Sequence, residues 1–302
     1  MTTVTVRTPA KINLGLGVGA PQDDGFHPVA TVYQAISLYD EVKARPADAG
    51  QFRLTITGEG ADALPLDDRN LAIRAARLLA KTFSVTEGVS LSLHKTIAVA
   101  GGLAGGSSDA AGALVACDEL WGTGATRDEL LELAAMLGSD VPFCLMGGNA
   151  IGTGRGETLS PVLGRGDYEW VLAYAKSGLP TPDVYAEFDR INGDRAPRQP
   201  RVQDELMAAL RTGDCYEVGR ALYNDLQEAA IRLRPALTRT LDMGDEFGAL
   251  GSLVSGSGPT CLFLAADEDH AVDLAVGLSS SGLARTVQRA KGPVPGARLV
   301  TS

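Results

Sequence analysis

Soft metal ligands are scarce in this chain, which has four cysteines and three histidines in 302 residues. Cys117, Cys144, Cys215 and Cys261 stand far apart and form no Cys-x-x-Cys pair, which argues against a zinc site and a disulfide framework. Free thiols in a reducing, cytoplasmic setting are the expectation. Positive charge is also short: 27 Lys and Arg face 37 Asp and Glu, leaving a net charge of −10. Such a balance argues against a nucleic-acid partner or an anionic membrane surface, whose footprints are basic. Long apolar runs are missing as well. The longest uncharged stretch, Phe247 to Ala266, carries four glycines, three serines and Pro259, and so is unsuited to a bilayer. The first residues, Met1-Thr-Thr-Val-Thr-Val-Arg-Thr-Pro9, lack the apolar segment of a signal peptide. Two familiar nucleotide-binding spellings are absent too. No Gly-Lys pair exists to build a P-loop. A degenerate dinucleotide pattern, Gly15-Leu-Gly-Val-Gly-Ala20, lacks the surrounding βαβ order.

What the chain has is glycine, 36 residues of it, and enough apolar residues (45%) for one large or two ordinary domains. Its glycines concentrate in Ile97-Ala-Val-Ala-Gly-Gly-Leu-Ala-Gly-Gly-Ser-Ser-Asp-Ala-Ala-Gly112. An alternating segment, Val89-Ser-Leu-Ser-Leu-His94, reads as a strand before it, and an Ala-rich helix from Ser108 follows. Strand, glycine loop, helix is an order that can hold phosphate. Glycine lets the backbone approach a ligand, and a helix start offers unpaired N–H groups and the positive end of its dipole. A tight connection that merely packs closely is the structural alternative.

Other segments carry chemistry-bearing side chains. Val4 and Val6 alternate with Thr in a short strand predicted to end at Pro9-Ala-Lys-Ile-Asn-Leu-Gly15, which offers Lys11 and Asn13. Asp24-Gly-Phe-His27 brings a ring suited to stacking and an imidazole able to donate or accept. Residues 68–81 form an amphipathic helix pattern, and Thr126-Arg-Asp-Glu129 spells a capping box for a helix that Gly138 ends. In Ser139-Asp-Val-Pro-Phe143, Asp140 precedes Pro142 at the start of a further helix, where capping is a complete structural explanation for it. Beyond Pro161, Glu169–Ala175 reads as a strand and residues 190–201 as a polar loop. Helical patterns follow at residues 202–211, 214–232 and 235–247. Ser255-Gly-Ser-Gly-Pro-Thr260 turns between two strands, and a helix (Asp267 to Leu278) and a last strand near Ala284–Val287 close the chain.

Taken in order, the segments at the N-terminus and near residues 25, 100, 140 and 256 resemble the GHMP kinases. Gly-Gly-Ser-Ser-Asp-Ala-Ala is closest to the branch whose substrate carries a cytidylyl group. Two residues depart from that branch's loop: Ala98 stands where Pro is usual and Ala104 where Gly is usual.

The resemblance implies an α+β, two-domain GHMP kinase fold. Residues 1–160 would form a ribosomal-protein-S5-domain-2-like nucleotide domain, and 161–302 a ferredoxin-like domain on the substrate side. It implies a cytoplasmic transferase using ATP and Mg²⁺ on a small cytidylyl alcohol, as a monomer or weak homodimer. Asp140 would be the catalytic base and Lys11 its partner. ATP would contact Ala98, Val99, Ala100, Gly101, Gly102, Leu103, Ala104, Gly105, Gly106, Ser107 and Ser108, together with Asn70, Leu71 and Lys95. Asn13, Phe26, His27, Thr181 and Tyr185 would contact the other substrate, with Phe26 and Tyr185 sandwiching its base, and Ser107 or Ser108 would supply a hydroxyl to the metal. Another GHMP small-molecule kinase and a non-catalytic nucleotide-binding regulator are the alternatives.

Overall fold

The computed structural model describes residues 2–99, 101–193 and 199–300. The first strand, β1 (Val4–Val18), does not stop at Pro9 as its sequence suggests. Pro9 sits at a shift in register with β2 (Val29–Ala47), a bulge where proline's missing N–H breaks no ladder bond. The Lys-Ile-Asn motif therefore lies inside a strand, not in a loop. From Thr8 onward β1 is buried at every residue, so both of its faces are covered.

The cover on one face comes from helices. After β3 (Phe52–Gly58) the chain forms α1 (Leu71–Thr82), and Asn70 caps it by accepting the Ala72 N–H at 2.9 Å. Next come β4 (Gly88–Lys95), α2 (Gly105–Trp121) and α3 (Arg127–Leu137), which opens with the predicted capping box between Thr126 and Glu129. The short α4 (Val141–Met146) follows, then β5 (Asn149–Thr153) and β6 (Thr158–Pro161). These helices share a core with the sheet that includes Leu79, Leu91, Leu114 and Cys144. The sheet runs β3-β4-β2-β1, with β5 and β6 continuing from β2.

The chain then crosses to a second sheet. β7 (Tyr168–Tyr174) alternates cleanly, as a strand buried on two sides must. Trp170, Leu172 and Tyr174 face a core shared with Ile12, Leu14 and Ile36 of the first sheet, while Val171 and Ala173 face the opposite core. α5 (Thr181–Asn192), α6 (Asp204–Thr212), α7 (Cys215–Ala221), β8 (Tyr223–Asn224), α8 (Gln227–Leu233) and α9 (Ala236–Glu246) come next. They lead into β9 (Gly251–Val254), β10 (Cys261–Ala265), α10 (Glu268–Ser280), β11 (Thr286–Gly292) and β12 (Arg298–Leu299). The second sheet is antiparallel in the order β11-β7-β10-β9. Fully buried Phe263 at its centre contributes roughly 1.5–3 kcal/mol of burial.

Three further expectations change. Residues 214–232 are not one helix, because Tyr223 and Asn224 leave it to pair with Gly15 and Leu16 of β1. Asp225 fixes the break by accepting the Val18 N–H at 2.9 Å. The last long strand lies at Thr286–Gly292, later than predicted. The polar loop predicted at 190–201 is helical as far as Asn192, and residues 194–198 lie outside the described residues. Through β8 and β12, which both pair with β1, the C-terminal half returns to the first sheet. Among the described residues no helix is long and apolar enough to cross a membrane.

Candidate active site

β1 presents Lys11 and Asn13 on one face, two residues apart as strand geometry requires. Lys11 Nζ donates to Asn13 Oδ1 at 2.8 Å, and Asn13 Nδ2 donates to Thr31 Oγ1 at 2.7 Å. The Asn13 amide is thereby committed at both ends, and it orients the lysine. Lys11 Nζ lies 3.7 Å from Asp140 Oδ2, the cation nearly buried and the carboxylate partly open.

Asp140 occupies the N-cap position of α4, yet its side chain caps nothing. Its backbone is helical rather than extended (φ −87°, ψ −13°), which turns the carboxylate away from the N–H groups it was expected to satisfy. Freed from that role, Asp140 accepts from the Tyr33 hydroxyl at 3.2 Å. Burial, and then the neighbouring Asp140 charge, push the Tyr33 phenol well above its usual range, so it stays a donor.

The glycine segment is built as a strand-to-helix loop, with α2 starting at Gly105, three residues earlier than predicted. Gly102, at φ +76°, lies against the Ser255 backbone of the third glycine segment, where a Cβ would collide. Ala104 is left-handed too, at φ +59°, and serves as N-cap residue without a side-chain bond. The departure from Gly at this position therefore carries backbone strain. Leu103 is a core residue whose carbonyl accepts the Lys11 N–H at 3.2 Å. Ala100 lies outside the described residues.

Ser108 is fully buried; its hydroxyl donates to the Pro9 carbonyl at 2.7 Å and pairs with Thr8 Oγ1 at 3.0 Å. That tie between α2 and β1 removes Ser108 as a metal ligand and leaves Ser107, half-buried on the first turn of α2. Lys95 lies under the loop, where its ammonium binds Asp40 and Asp109 (2.6 Å to the latter) and donates to the Gly105 carbonyl at 3.2 Å. Burial pulls its pKa down, but Asp109 and Asp40 outweigh that and the net direction is up. Asp40, which the sequence reading passed over, also accepts the N–H groups of Thr96 (2.6 Å) and Ile97 (2.9 Å), anchoring the entrance to the loop.

Two large cavities adjoin this loop, and a third adjoins the second of them. One of about 260 Å³ is lined by Asn70, Leu71, Lys95, Ala98, Val99, Gly105, Gly106 and Asp109. Another, about 310 Å³, holds Lys11, Asn13, Tyr33, Gly102, Ala104, Asp140 and Gly256. The third, about 520 Å³, is lined by Phe26, His27, Tyr185 and Asp189. Gly102 and Ala104 face the second cavity and Gly105 and Gly106 the first, so the loop is the ridge between them. The second and third share Arg155, Thr181 and Tyr185.

Thr181 Oγ1 lies 2.8 Å from Ser257 Oγ, closing the reaction cavity from the third glycine segment. That segment is held by Asn224, which donates to the carbonyls of Val254 (2.8 Å) and Gly256 (2.7 Å). Tyr185 packs on His27 with ring centroids 4.9 Å apart, and burial raises its phenol to about 12. Phe26 is exposed, with the Arg155 guanidinium 3.7 Å from its ring centroid and bonded to Asp24 at 2.6 Å. Tyr33, Arg155, Asp40 and Asn224 all escaped the sequence reading, and of Ser257 only its glycine segment was singled out. Their partners lie far along the chain, and of the four only Asn224, a poor helix former in a helical pattern, left any trace.

A phosphate loop between two clefts, with a lysine–aspartate pair beside it, is the plan of a small-molecule kinase of the GHMP type. Residues 70–148 match the GHMP kinases N terminal domain and residues 206–282 the GHMP kinases C terminal domain. The chain is 54% identical over 305 aligned residues to the 4-diphosphocytidyl-2-C-methyl-D-erythritol kinase of Thermobifida fusca, covering 99% of both chains. It is 52% identical to the enzyme of that name from Streptomyces avermitilis, covering 98% of this chain and 99% of the relative. A crystal structure of 4-(cytidine 5'-diphospho)-2C-methyl-D-erythritol kinase superposes with a TM-score of 0.78 at 31% identity, covering 98% of this chain and all of the other. Homoserine kinase from Cytophaga hutchinsonii, at 19% identity and a TM-score of 0.76 over 99% of this chain and 98% of that one, shares the fold. The chain belongs to the 4-diphosphocytidyl-2-C-methyl-D-erythritol kinase family.

Proposed function

We propose that this protein transfers the γ-phosphate of ATP to the 2-hydroxyl of 4-diphosphocytidyl-2-C-methyl-D-erythritol, a step of the non-mevalonate isoprenoid pathway. The observation that carries this reading is the order of the cavities. A nucleoside-sized cleft lies on each side of the Lys11–Asp140 centre, and the glycine ridge separates the centre from only one of them. A galactose-, homoserine- or mevalonate-sized acceptor would leave the 520 Å³ cavity without an occupant.

In this reading the adenine enters beside Asn70 and Leu71, and the phosphates cross Gly102–Gly106 onto the N-terminus of α2. Phosphoryl transfer passes through a loose transition state, so positioning and charge neutralisation supply most of the acceleration. Asp140 takes the hydroxyl proton on Oδ2 or Oδ1, and the attacking oxygen gains nucleophilicity as that proton leaves. Lys11 stabilises the negative charge that gathers between carboxylate and phosphoryl group. Tyr33 and Asn13 hold the pair in register. Arg155, shared by the reaction cavity and the third cavity, meets the diphosphate that joins the two halves of the acceptor; a guanidinium fork suits that group.

Among the described residues no group of three or more His, Cys, Asp or Glu side chains could cage a metal. That donor set fits a magnesium ion carried by the nucleotide's own phosphates, with Ser107 as its protein hydroxyl. Such an ion would neutralise phosphate charge. A cytoplasmic setting belongs to the same reading and is supported by the free, buried thiols of Cys117, Cys144 and Cys261.

The test is ADP release from ATP and Mg²⁺ with the cytidylyl substrate, mevalonate, homoserine or galactose as acceptor. Release with the cytidylyl substrate alone is the expected result. Release with another acceptor would move the activity elsewhere in the superfamily, and nucleotide binding without any turnover would leave a regulator.

A further inference from the structure

Where the glycine loop meets the second sheet, two smaller cavities join at the end of β7. One, of about 160 Å³, lies between β7 and the start of α9. The other, of about 170 Å³, runs past Lys176 and Ser177 to Val99 and Gly101. Tyr174, Ala175, Lys176, Ser177 and Pro259 border both, so the two are chambers of one cleft. None of its lining residues borders the reaction cavity or the cavity beside α5.

The chambers differ in chemistry. The first is walled by Ala173, Leu237, Cys261, Leu283 and Ala284, and the hydroxyls beside them are already committed. Thr240 Oγ1 donates to the Ala236 carbonyl at 3.3 Å, and the Tyr174 hydroxyl donates to Gln288 at 2.7 Å. That chamber suits hydrocarbon. The junction and the second chamber are cationic: Lys176, Arg234 and Arg285 line the cleft against the single carboxylate of Glu59, in a chain whose net charge is −10. Glu59 pairs with Arg285 at 2.6 Å. Arg234 commits its guanidinium to the carbonyls of Ser177 (2.7 Å) and Gly178 (2.8 Å), which neutralise none of its charge. Among the described residues Lys176, an exposed side chain, has no ion-pair partner either. Ser177 Oγ accepts from Arg234 and so keeps its own proton free to donate.

We propose that this cleft is a second ligand site, separate from the reaction centre, for a phosphate monoester of a short branched alcohol. The phosphate, with a charge of roughly −1.5 to −2 near neutral pH, meets Lys176, Arg285 and the Ser177 hydroxyl. The hydrocarbon fills the apolar chamber, whose volume admits only a short chain. A carboxylate is the poorer fit, because one negative charge satisfies Lys176 alone. The occupant's polar end also reaches Val99 and Gly101, the entrance to the loop assigned to ATP.

The experiment is a calorimetric titration of isopentyl phosphate into the full chain saturated with a non-hydrolysable ATP analogue, so that the phosphate loop is already occupied. Inorganic phosphate, isopentanol and isovalerate serve as head-only, tail-only and carboxylate controls. One site is expected, tighter for the ester than for any control. Lys176→Gln should weaken it roughly tenfold, the worth of one charge-assisted hydrogen bond. Ala284→Leu, which fills the apolar chamber, should weaken it at least as much, with thermal unfolding showing that each variant is folded. Should Ala284→Leu fail to fold, Lys176→Gln still decides. No binding, binding of inorganic phosphate as tight as that of the ester, or an unchanged Kd in Lys176→Gln would each overturn the assignment.

Discussion

Lys11 Nζ stands 3.7 Å from Asp140 Oδ2 and at hydrogen-bond distance, 2.8 Å, from Asn13 Oδ1, so the lysine's position survives changes at the carboxylate. Asp140→Asn therefore removes proton acceptance while Asn13 still holds Lys11. Turnover in this variant should fall by roughly 10²–10⁴-fold, the usual worth of a general base. ATP affinity and thermal unfolding should change little. Near-wild-type turnover in a folded Asp140→Asn protein would take the base role away from this residue.

The two serines of the glycine loop separate by what they touch. Ser108 bonds to Pro9 and Thr8 inside the core, so Ser108→Ala strands the buried Pro9 carbonyl and should cost roughly 1–3 kcal/mol of stability. Ser107 is only half-buried on the first turn of α2, and Ser107→Ala should leave denaturant unfolding unchanged while weakening Mg²⁺-dependent turnover. Equal loss of stability in both would contradict this division of labour.

Ala104 offers a test of stored strain. A left-handed alanine costs roughly 1–2 kcal/mol relative to glycine, whereas replacing alanine by glycine loosens the unfolded chain by roughly 0.4–1 kcal/mol. The balance predicts that Ala104→Gly stabilises the protein by about 0.5–1 kcal/mol, measured by denaturant unfolding. A destabilised variant would mean that the methyl group packs usefully against its neighbours.

Much of this site was legible as a sequence because its parts are local. The glycine loop, the Lys11–Asn13 pair and the Thr126 capping box each depend on backbone geometry within a few residues. Asp140 shows the limit of that reading. Proline after an acidic residue spelled a cap, and only the placement of β1 and Tyr33 beside it gave the carboxylate another partner. Long-range pairs were out of reach in principle. Asp40 meets Thr96, Arg155 meets Asp24 and Asn224 meets Gly256 across large sequence separations, and several of these partners are backbone groups that carry no sequence signal. The helix expected across residues 214–232 failed for the same reason, since its break is dictated by pairing with β1.

Beneath the glycine loop, two carboxylates share one ammonium. Asp40 and Asp109 both bind Lys95, and Asp109 Oδ1 is buried with no partner among the described residues. Burial is the largest influence on Asp109 and raises its carboxyl; Lys95 pulls the other way, Asp40 adds to the rise, and the result is about 8 against an ordinary 3.8. The cluster is thus most comfortable with one proton on the carboxylates. The folded state keeps that proton throughout the interval between the two values, whereas the unfolded chain gives it up near the lower one. Folding stability should therefore be fully present below the lower value, decline as pH rises through the interval, and level off above the upper value. The slope from one group is at most roughly 1.4 kcal/mol per pH unit. Asp109→Asn imitates the protonated form, its carbonyl still able to accept from Lys95, and should remove that component. Denaturant unfolding across this pH range should then show the wild type losing stability relative to the variant as pH rises. Parallel curves for the two proteins would mean that Asp109 stays ionised in the fold and that Lys95, not burial, governs the cluster.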